Sequence, residues 1–230
     1  MSDERPGSRG GGTVFLHASN RSPRRAWGDL LDLPDARVAL MPGYDSEVAV
    51  RFDQDRWEER LLTACRSGST VVAHSFGGAV AMRAAVRRPD LVAALVLLEP
   101  AAYALARGHE AVEEHIRRVQ PVLDRASDRT AEEFAADFAA AMSGDRLTPP
   151  LGADALLAAR RQRMLPGPWT LDTPSELDVP TLVVTGGWND EYEVIAARIR
   201  GARHVKLVGH GHRPQDHPEV VDVVTDFLVR

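Results

Sequence analysis

Thr70-Val71-Val72-Ala73-His74-Ser75-Phe76-Gly77-Gly78-Ala79-Val80-Ala81 is the stretch that decides the fold. Its first half is a short apolar, β-branched run of the kind a buried parallel strand shows, and its second half is a small-residue helix. Ser75 sits on the sharp turn between them. Gly77 and the small Ala73 leave room for strand and helix to approach closely, which forces the turn residue into a strained backbone with its side chain exposed. Two readings of Ser75 follow: a nucleophile held on a tight turn, or an ordinary serine capping the helix that opens at Phe76.

The composition bounds the answer. A chain of 230 residues, 44% hydrophobic and 27% charged with a formal charge of -5, suits one α/β domain with a sizeable core. Its basic residues are scattered, so nothing predicts nucleic acid or an anionic membrane as a partner. The single cysteine, Cys65, excludes an internal disulfide. No apolar run approaches the ~18 residues of a membrane span or the core of a signal peptide. A soluble, cytoplasmic protein is the expectation. Met1 to Gly12 is polar and glycine-rich and reads as a mobile tail, leaving a domain over 13–230.

Outward from the central stretch the pattern alternates. Thr13–His17 reads as a strand followed by a loop, then a helix carrying Trp27, Leu30 and Leu31. Arg37–Met41 is a second strand, stopped by Pro42-Gly43, and a helix from about Asp55 to Cys65 carries Trp57, Leu61 and Leu62. The helix after Ser75 closes with Arg87-Arg88-Pro89, and Leu91–Leu98 is a fourth, nearly all-apolar strand. Strands this hydrophobic must be covered on both faces, which predicts a parallel sheet with right-handed crossovers. From about 100 to 173 strand signals vanish. That stretch reads as helices, one over Glu110–Leu123, one opened by the capping box Thr130-Ala131-Glu132-Glu133, and a third holding Leu156, Leu157 and Met164. An all-helical insert between two strands predicts a lid. The strand rhythm resumes with Pro180–Thr185 and His204–Val208, separated by a helix and followed by a last one carrying Val220, Val221, Val224, Phe227 and Leu228.

In an open parallel sheet, ligands bind beyond the carboxyl ends of the strands. The residues that follow the apolar runs here are His17-Ala18-Ser19-Asn20, Ser75, Glu99, Gly186-Gly187-Trp188-Asn189-Asp190 and Gly209-His210-Gly211-His212. A hydroxyl, carboxylates and imidazoles thus converge on one edge, in the order serine, acid, histidine. A serine hydroxyl is a weak nucleophile at neutral pH and needs a base, and that base needs an acceptor that fixes its tautomer. Negative charge developing on a substrate oxygen needs preset N–H donors, which Phe76 at a helix start and the first strand-to-helix loop can supply.

Four motifs in order resemble the α/β-hydrolase superfamily, and the resemblance covers most of the chain from Thr13 onward. Leu16-His17-Ala18-Ser19 is similar to the family's H-G-x loop, Ala73-His74-Ser75-Phe76-Gly77-Gly78 to G-H-S-x-G-G, Gly187-Trp188-Asn189-Asp190 to G-x-x-D, and Gly209-His210-Gly211-His212 to G-x-G-H. The resemblance implies an α/β-hydrolase fold with a predominantly parallel sheet of about six strands and a helical lid inserted after the fourth. It implies Ser75 as nucleophile, His212 as base, Asp190 as the orienting acid, and the Phe76 and Ser19 amides as an oxyanion hole. Glu99 is the alternative acid, because some members of the superfamily take it from the end of the preceding strand. Ala18 and Ala73 stand where the family has glycine, and the family's leading hairpin has no room before Thr13.

The implied activity is that of a serine hydrolase acting on a small-molecule carboxylic ester or related acyl compound through an acyl-enzyme. Carbon–carbon hydrolysis, lyase chemistry and an inactive ligand-binding scaffold are the alternatives. No cofactor and no metal is implied. His210, His212, Asp216 and His217 loosely resemble a metallo-hydrolase cluster, which would require their side chains to converge on one point. His17 and His74 read as structural groups satisfying turn backbone, and His109 and His115 as solvated residues of a charged helix.

Overall fold

The computed structural model describes residues 10–19, 26–46, 48–144 and 146–229. Six strands form one sheet: β1 (Thr13–Leu16), β2 (Arg37–Ala39), β3 (Ser69–His74), β4 (Val92–Leu98), β5 (Thr181–Thr185) and β6 (Arg203–Lys206). Their order is β2-β1-β3-β4-β5-β6 and every neighbouring pair is parallel. Helices α1 (Gln54–Ala64) and α2 (Phe76–Arg87) flank β3, while α3 (Glu110–Asp124), α4 (Ala131–Ser143) and α5 (Ala153–Gln162) lie between β4 and β5. Helices α6 (Asp190–Arg198) and α7 (Val220–Leu228) complete the chain.

Side-chain alternation along the strands divides the core in two. Val14, Leu16, Val71, Ala73, Leu95, Leu97 and Val183 enter one cluster with side chains of α1, α2 and α6. Phe15, Val72, Val96, Leu98, Leu182 and Val184 point the other way, against Trp27, Leu30 and α7. Which helix covers which face follows from handedness. The steps β2 to β3, β3 to β4 and β5 to β6 run in one direction across the sheet, so right-handed crossovers put α1, α2 and α6 on one face. The step from β1 to β2 runs the opposite way and puts Trp27 and Leu30 on the other.

Several expectations need adjustment. The helix expected around Trp27, Leu30 and Leu31 is a short 3-10 turn over Gly28–Asp32, because Gly28 adopts φ 49° and Pro34 denies Leu33 a helical conformation. The tail expected over 1–12 falls outside the described residues through residue 9, whereas Gly11 and Gly12 are pinned to β3. The Thr70 N–H donates to Gly12 O and the Ser69 hydroxyl to Gly11 O, both at 3.0 Å. His115 is buried rather than solvated. It lies on the α3 face of Val112 and Val119, three and four residues away, which are buried with it. His109, at the start of α3, is half-buried. The capping box of α4 forms as expected, with Thr130 and Glu133 bonded reciprocally. Among the described residues no helix is long and apolar enough to cross a membrane.

Candidate active site

β1 sits beside both β2 and β3, so the chain leaves it in opposite directions and a crevice opens beyond the carboxyl ends of β1 and β3. Ser75 stands at that crevice with φ 53° and ψ -121°. A non-glycine residue held there costs on the order of 1–3 kcal/mol, which the surrounding contacts must offset. The Ser75 N–H donates to Leu98 O at 3.0 Å, and the Ser75 carbonyl accepts from Gly78 and Ala101 N–H groups, each at 2.9 Å. Two glycines make the turn feasible. A Cβ on Gly77 would lie 2.7 Å from His17 O and 2.9 Å from Leu16 O, and one on Gly78 would lie 2.8 Å from Pro100 Cβ. Ala73 is accommodated, because its methyl packs into the core. The Ser75 side chain makes no cap bond to α2. Its hydroxyl is engaged elsewhere.

That partner is His212, whose Nε2 lies 3.0 Å from Ser75 Oγ. On the far side of the ring, Nδ1 meets Glu99 Oε2 at 3.2 Å. The carboxylate is itself fixed: Oε1 accepts from the Gly186 N–H at 2.6 Å, and Oε2 also accepts from the Trp188 indole N–H at 3.0 Å. Glu99 is fully buried and adopts φ 45°, a second strained residue at the same sheet edge. A carboxylate at Nδ1 places the ring proton there and leaves Nε2 as acceptor for the serine hydroxyl.

Asp190 does not fill this position. It is the first residue of α6 and its side chain is exposed. Along with Glu191 and Glu193 it places negative charge in the first turn, where the helix dipole favours it. The carboxylate that meets His212 is Glu99, which leaves the end of β4 immediately beside β3. Spacing along the chain does not report that proximity.

The loop carrying His212 is held from below. His74 Nε2–H donates to His212 O at 2.8 Å, and His74 Nδ1 accepts from the Gln215 amide at 3.2 Å. A Cβ on Gly186 would fall 2.0 Å from Gly211 O, so the two loops touch backbone to backbone. The His212 ring lies between His74 and Tyr192, with each ring centroid 4.8 Å away. His74 and His17 both have the structural role read from the sequence. His17 Nδ1–H donates to Ala18 O at 2.7 Å, and burial pushes its imidazole down to about 4, with the Arg161 charge adding to the effect.

Phe76 contributes the first amide of α2, which has no acceptor within the helix. Ser19 lies across the crevice at the end of β1, its carbonyl accepting from the Tyr44 hydroxyl. Both line a cavity of about 450 Å³ that also contains Ser75 and His212. The loop that continues from Ser19 through residues 20–25 lies outside the described residues. The metal cluster considered above does not assemble among the described residues: the His210 and His217 rings are neighbours, with centroids 5.4 Å apart, but the other side chains are committed elsewhere. His212 faces Ser75, the His217 ring accepts from the Glu219 N–H at 3.1 Å, and Asp216 pairs with Arg213.

The remaining cavity wall comes largely from α3, α4 and α5, including Val119, Phe138, Met142 and Ala155, and is mostly apolar. Sequence reading missed the polar part of this wall. Tyr103, His115 and Tyr192 line the cavity, with Glu191 behind them. Burial together with nearby carboxylates pushes Tyr192 well above the ordinary phenol range. It therefore keeps its proton at neutral pH. Trp188 was also missed, although the G-x-x-D stretch that contains it was in view.

Comparison with known proteins gives the family and the fold. The profile described as "Alpha/beta hydrolase family" matches residues 13–222, most of the chain. The chain belongs to the α/β hydrolase family. Lipase LipV of Mycobacterium tuberculosis is 77% identical to this chain over 31 residues, a match covering 14% of this chain and 12% of that protein. Among solved structures, an epoxide hydrolase of the α/β-hydrolase superfamily from hot-environment metagenomes superposes with TM-score 0.66 at 17% identity, over 95% of this chain and 90% of that chain. A thermophilic esterase from Thermogutta terrifontis gives TM-score 0.56 at 20% identity, over 94% and 88% respectively. At such identities the structural likeness shows the fold.

Proposed function

We propose that the protein is a serine hydrolase that cleaves carboxylic esters through an acyl-enzyme, with Ser75 as nucleophile, His212 as general base and Glu99 as its orienting acid. The observation that carries the reading is the continuous chain Ser75 Oγ–His212–Glu99, anchored by Gly186 and Trp188. In the first half-reaction the Ser75 oxygen bonds to the ester carbonyl carbon and its proton passes to His212 Nε2. Collapse of the tetrahedral intermediate breaks the carbon–oxygen bond, and His212 returns the proton to the departing alcohol. Water then attacks the acyl-enzyme with His212 again as base, releasing the acid and restoring Ser75. The Phe76 and Ser19 amides are the donors proposed to meet the oxyanion.

Helices α3 to α5 act in this reading as the lid over the acyl site, and their apolar lining suits a hydrocarbon chain. The short match to a lipase supports an acyl substrate. Serine rather than aspartate on the turn weighs against epoxide opening despite the shared fold.

Hydrolysis of p-nitrophenyl butyrate and fluorophosphonate labelling test the proposal. Wild type is expected to turn over and to be labelled at Ser75, and Ser75→Ala to lose both. Glu99→Gln is expected to lower kcat by about 10³-fold or more, and Asp190→Asn to change it less than about threefold. A sensitive Asp190→Asn variant beside an active Glu99→Gln variant would reverse the assignment. Absence of both turnover and labelling in wild type would sink the hydrolase reading.

A further inference from the structure

A second histidine–carboxylate pair faces the same cavity. His115, on α3 and 3% exposed, meets Glu191 Oε1 through Nδ1 at 3.0 Å. The Tyr103 hydroxyl donates to that same oxygen at 3.0 Å and lies 3.2 Å from the Tyr192 hydroxyl, and Tyr192 lines the cavity together with Ser75. Four buried polar groups from three separate segments thus form a cluster at the wall of the cavity that holds the proposed nucleophile. The carboxylate at Nδ1 fixes the ring proton there, so Nε2 of the neutral ring is an acceptor. Both polar contacts of the ring, to Glu191 and to the Tyr103 hydroxyl, run through Nδ1, and the residue lines the cavity, which leaves Nε2 for whatever occupies it. An acceptor held at the wall of an otherwise apolar cavity is matched by a donor on whatever occupies it.

The placement of the cluster relative to His212 indicates which part of a substrate it meets. The Tyr192 ring packs on His212, with centroids 4.8 Å apart and planes at 31°, and Tyr103 and His115 lie beyond it. In the proposed reaction His212 delivers its proton to the departing alcohol, so groups beyond His212 lie on the alcohol side. The apolar wall from α4 and α5 is then left for the acyl chain.

Resting on the proposed ester hydrolysis, we propose that His115, fixed by Glu191, and the Tyr103 hydroxyl form a subsite for a second hydroxyl on the alcohol portion, so that the preferred substrates are mono-esters of diols or polyols. His115 Nε2 accepts from that hydroxyl.

Two near-isosteric esters provide the test, 3-hydroxypropyl butyrate and butyl butyrate, which differ by a hydroxyl in place of a methyl. Release of butyrate is measured for wild type, His115→Phe and Tyr103→Phe, each protein serving as its own control through the ratio of the two kcat/KM values. Wild type is expected to favour the hydroxylated ester by about tenfold, mainly through KM, and His115→Phe to bring the ratio to about one. Tyr103→Phe, which removes a single oxygen, is expected to lower the ratio and carries the test should the histidine variant not fold. A wild-type ratio near one, or a ratio that both variants leave intact, overturns the subsite while leaving the hydrolase reading in place. Failure of wild type on both esters and on p-nitrophenyl butyrate overturns the hydrolase reading, and the subsite with it.

Discussion

His17 illustrates how much one buried residue can impose. Its ring packs against Tyr44, with centroids 4.3 Å apart, and holds the loop after β1 on which Ser19 stands. Burial lowers its folded-state value to about 4, whereas the unfolded chain titrates near the ordinary 6.5. Below 6.5 the unfolded state therefore binds more protons, so stability present at neutral pH is lost as pH falls through that window toward 4. Urea unfolding at pH 7 and pH 5 is expected to show a loss of about 2 kcal/mol that is absent in His17→Gln. An equal loss in both proteins would assign it to other groups. Glu99 and Ser75 are residue-scale features of another kind. Both hold positive φ beside the crevice, and the strain places a carboxylate and a hydroxyl on opposite sides of one imidazole.

At the scale of elements, the contact between α2 and β1 sets the site. The helix begins directly at the turn and rests against the carbonyls of Leu16 and His17, with Gly77 as its point of contact. Adding a methyl there drives it into two backbone oxygens that cannot move without shifting β1. Gly77→Ala is expected to cost about 3 kcal/mol in urea unfolding and to reduce fluorophosphonate labelling, because the helix and the Phe76 amide move away from Ser75. Unchanged stability would mean that the two elements are less closely fixed than their spacing indicates. The 3-10 turn at Gly28–Asp32 makes a different point. Trp27, Leu30 and Leu31 have helical spacing, but Gly28 and Pro34 bracket a segment too short to propagate one. The same apolar side chains cover the sheet without it.

At the scale of the whole molecule, a right-handed parallel sheet with one reversal of strand order opens a crevice, and the helices between β4 and β5 line much of a cavity of about 450 Å³ there. The cavity wall on α4 is lined by small residues, among them Ala135 and Ala139. Filling it is expected to discriminate by acyl length. For Ala135→Phe, kcat/KM on p-nitrophenyl octanoate should fall about tenfold relative to p-nitrophenyl acetate, and equal effects on both esters would place the acyl chain elsewhere.

The order of elements, the parallel sheet, the strained turn at Ser75 and the loop carrying His212 were legible in the sequence. Each depends on residues close together in the chain: alternation along a strand, glycines at a sharp turn, a capping box opening α4. The choice between Glu99 and Asp190 was not, because both follow strands that end at the same sheet edge and only position in the sheet and side-chain direction separate them. His115 escaped for the same reason. Its neighbours in sequence are charged, whereas its neighbours in space are Tyr103, Glu191 and Trp169, brought together from segments far apart in the chain. Local pattern determined what each segment becomes, and tertiary packing decided which side chains meet, since the distance between two groups on different elements is set by how the elements pack and by nothing written near either group.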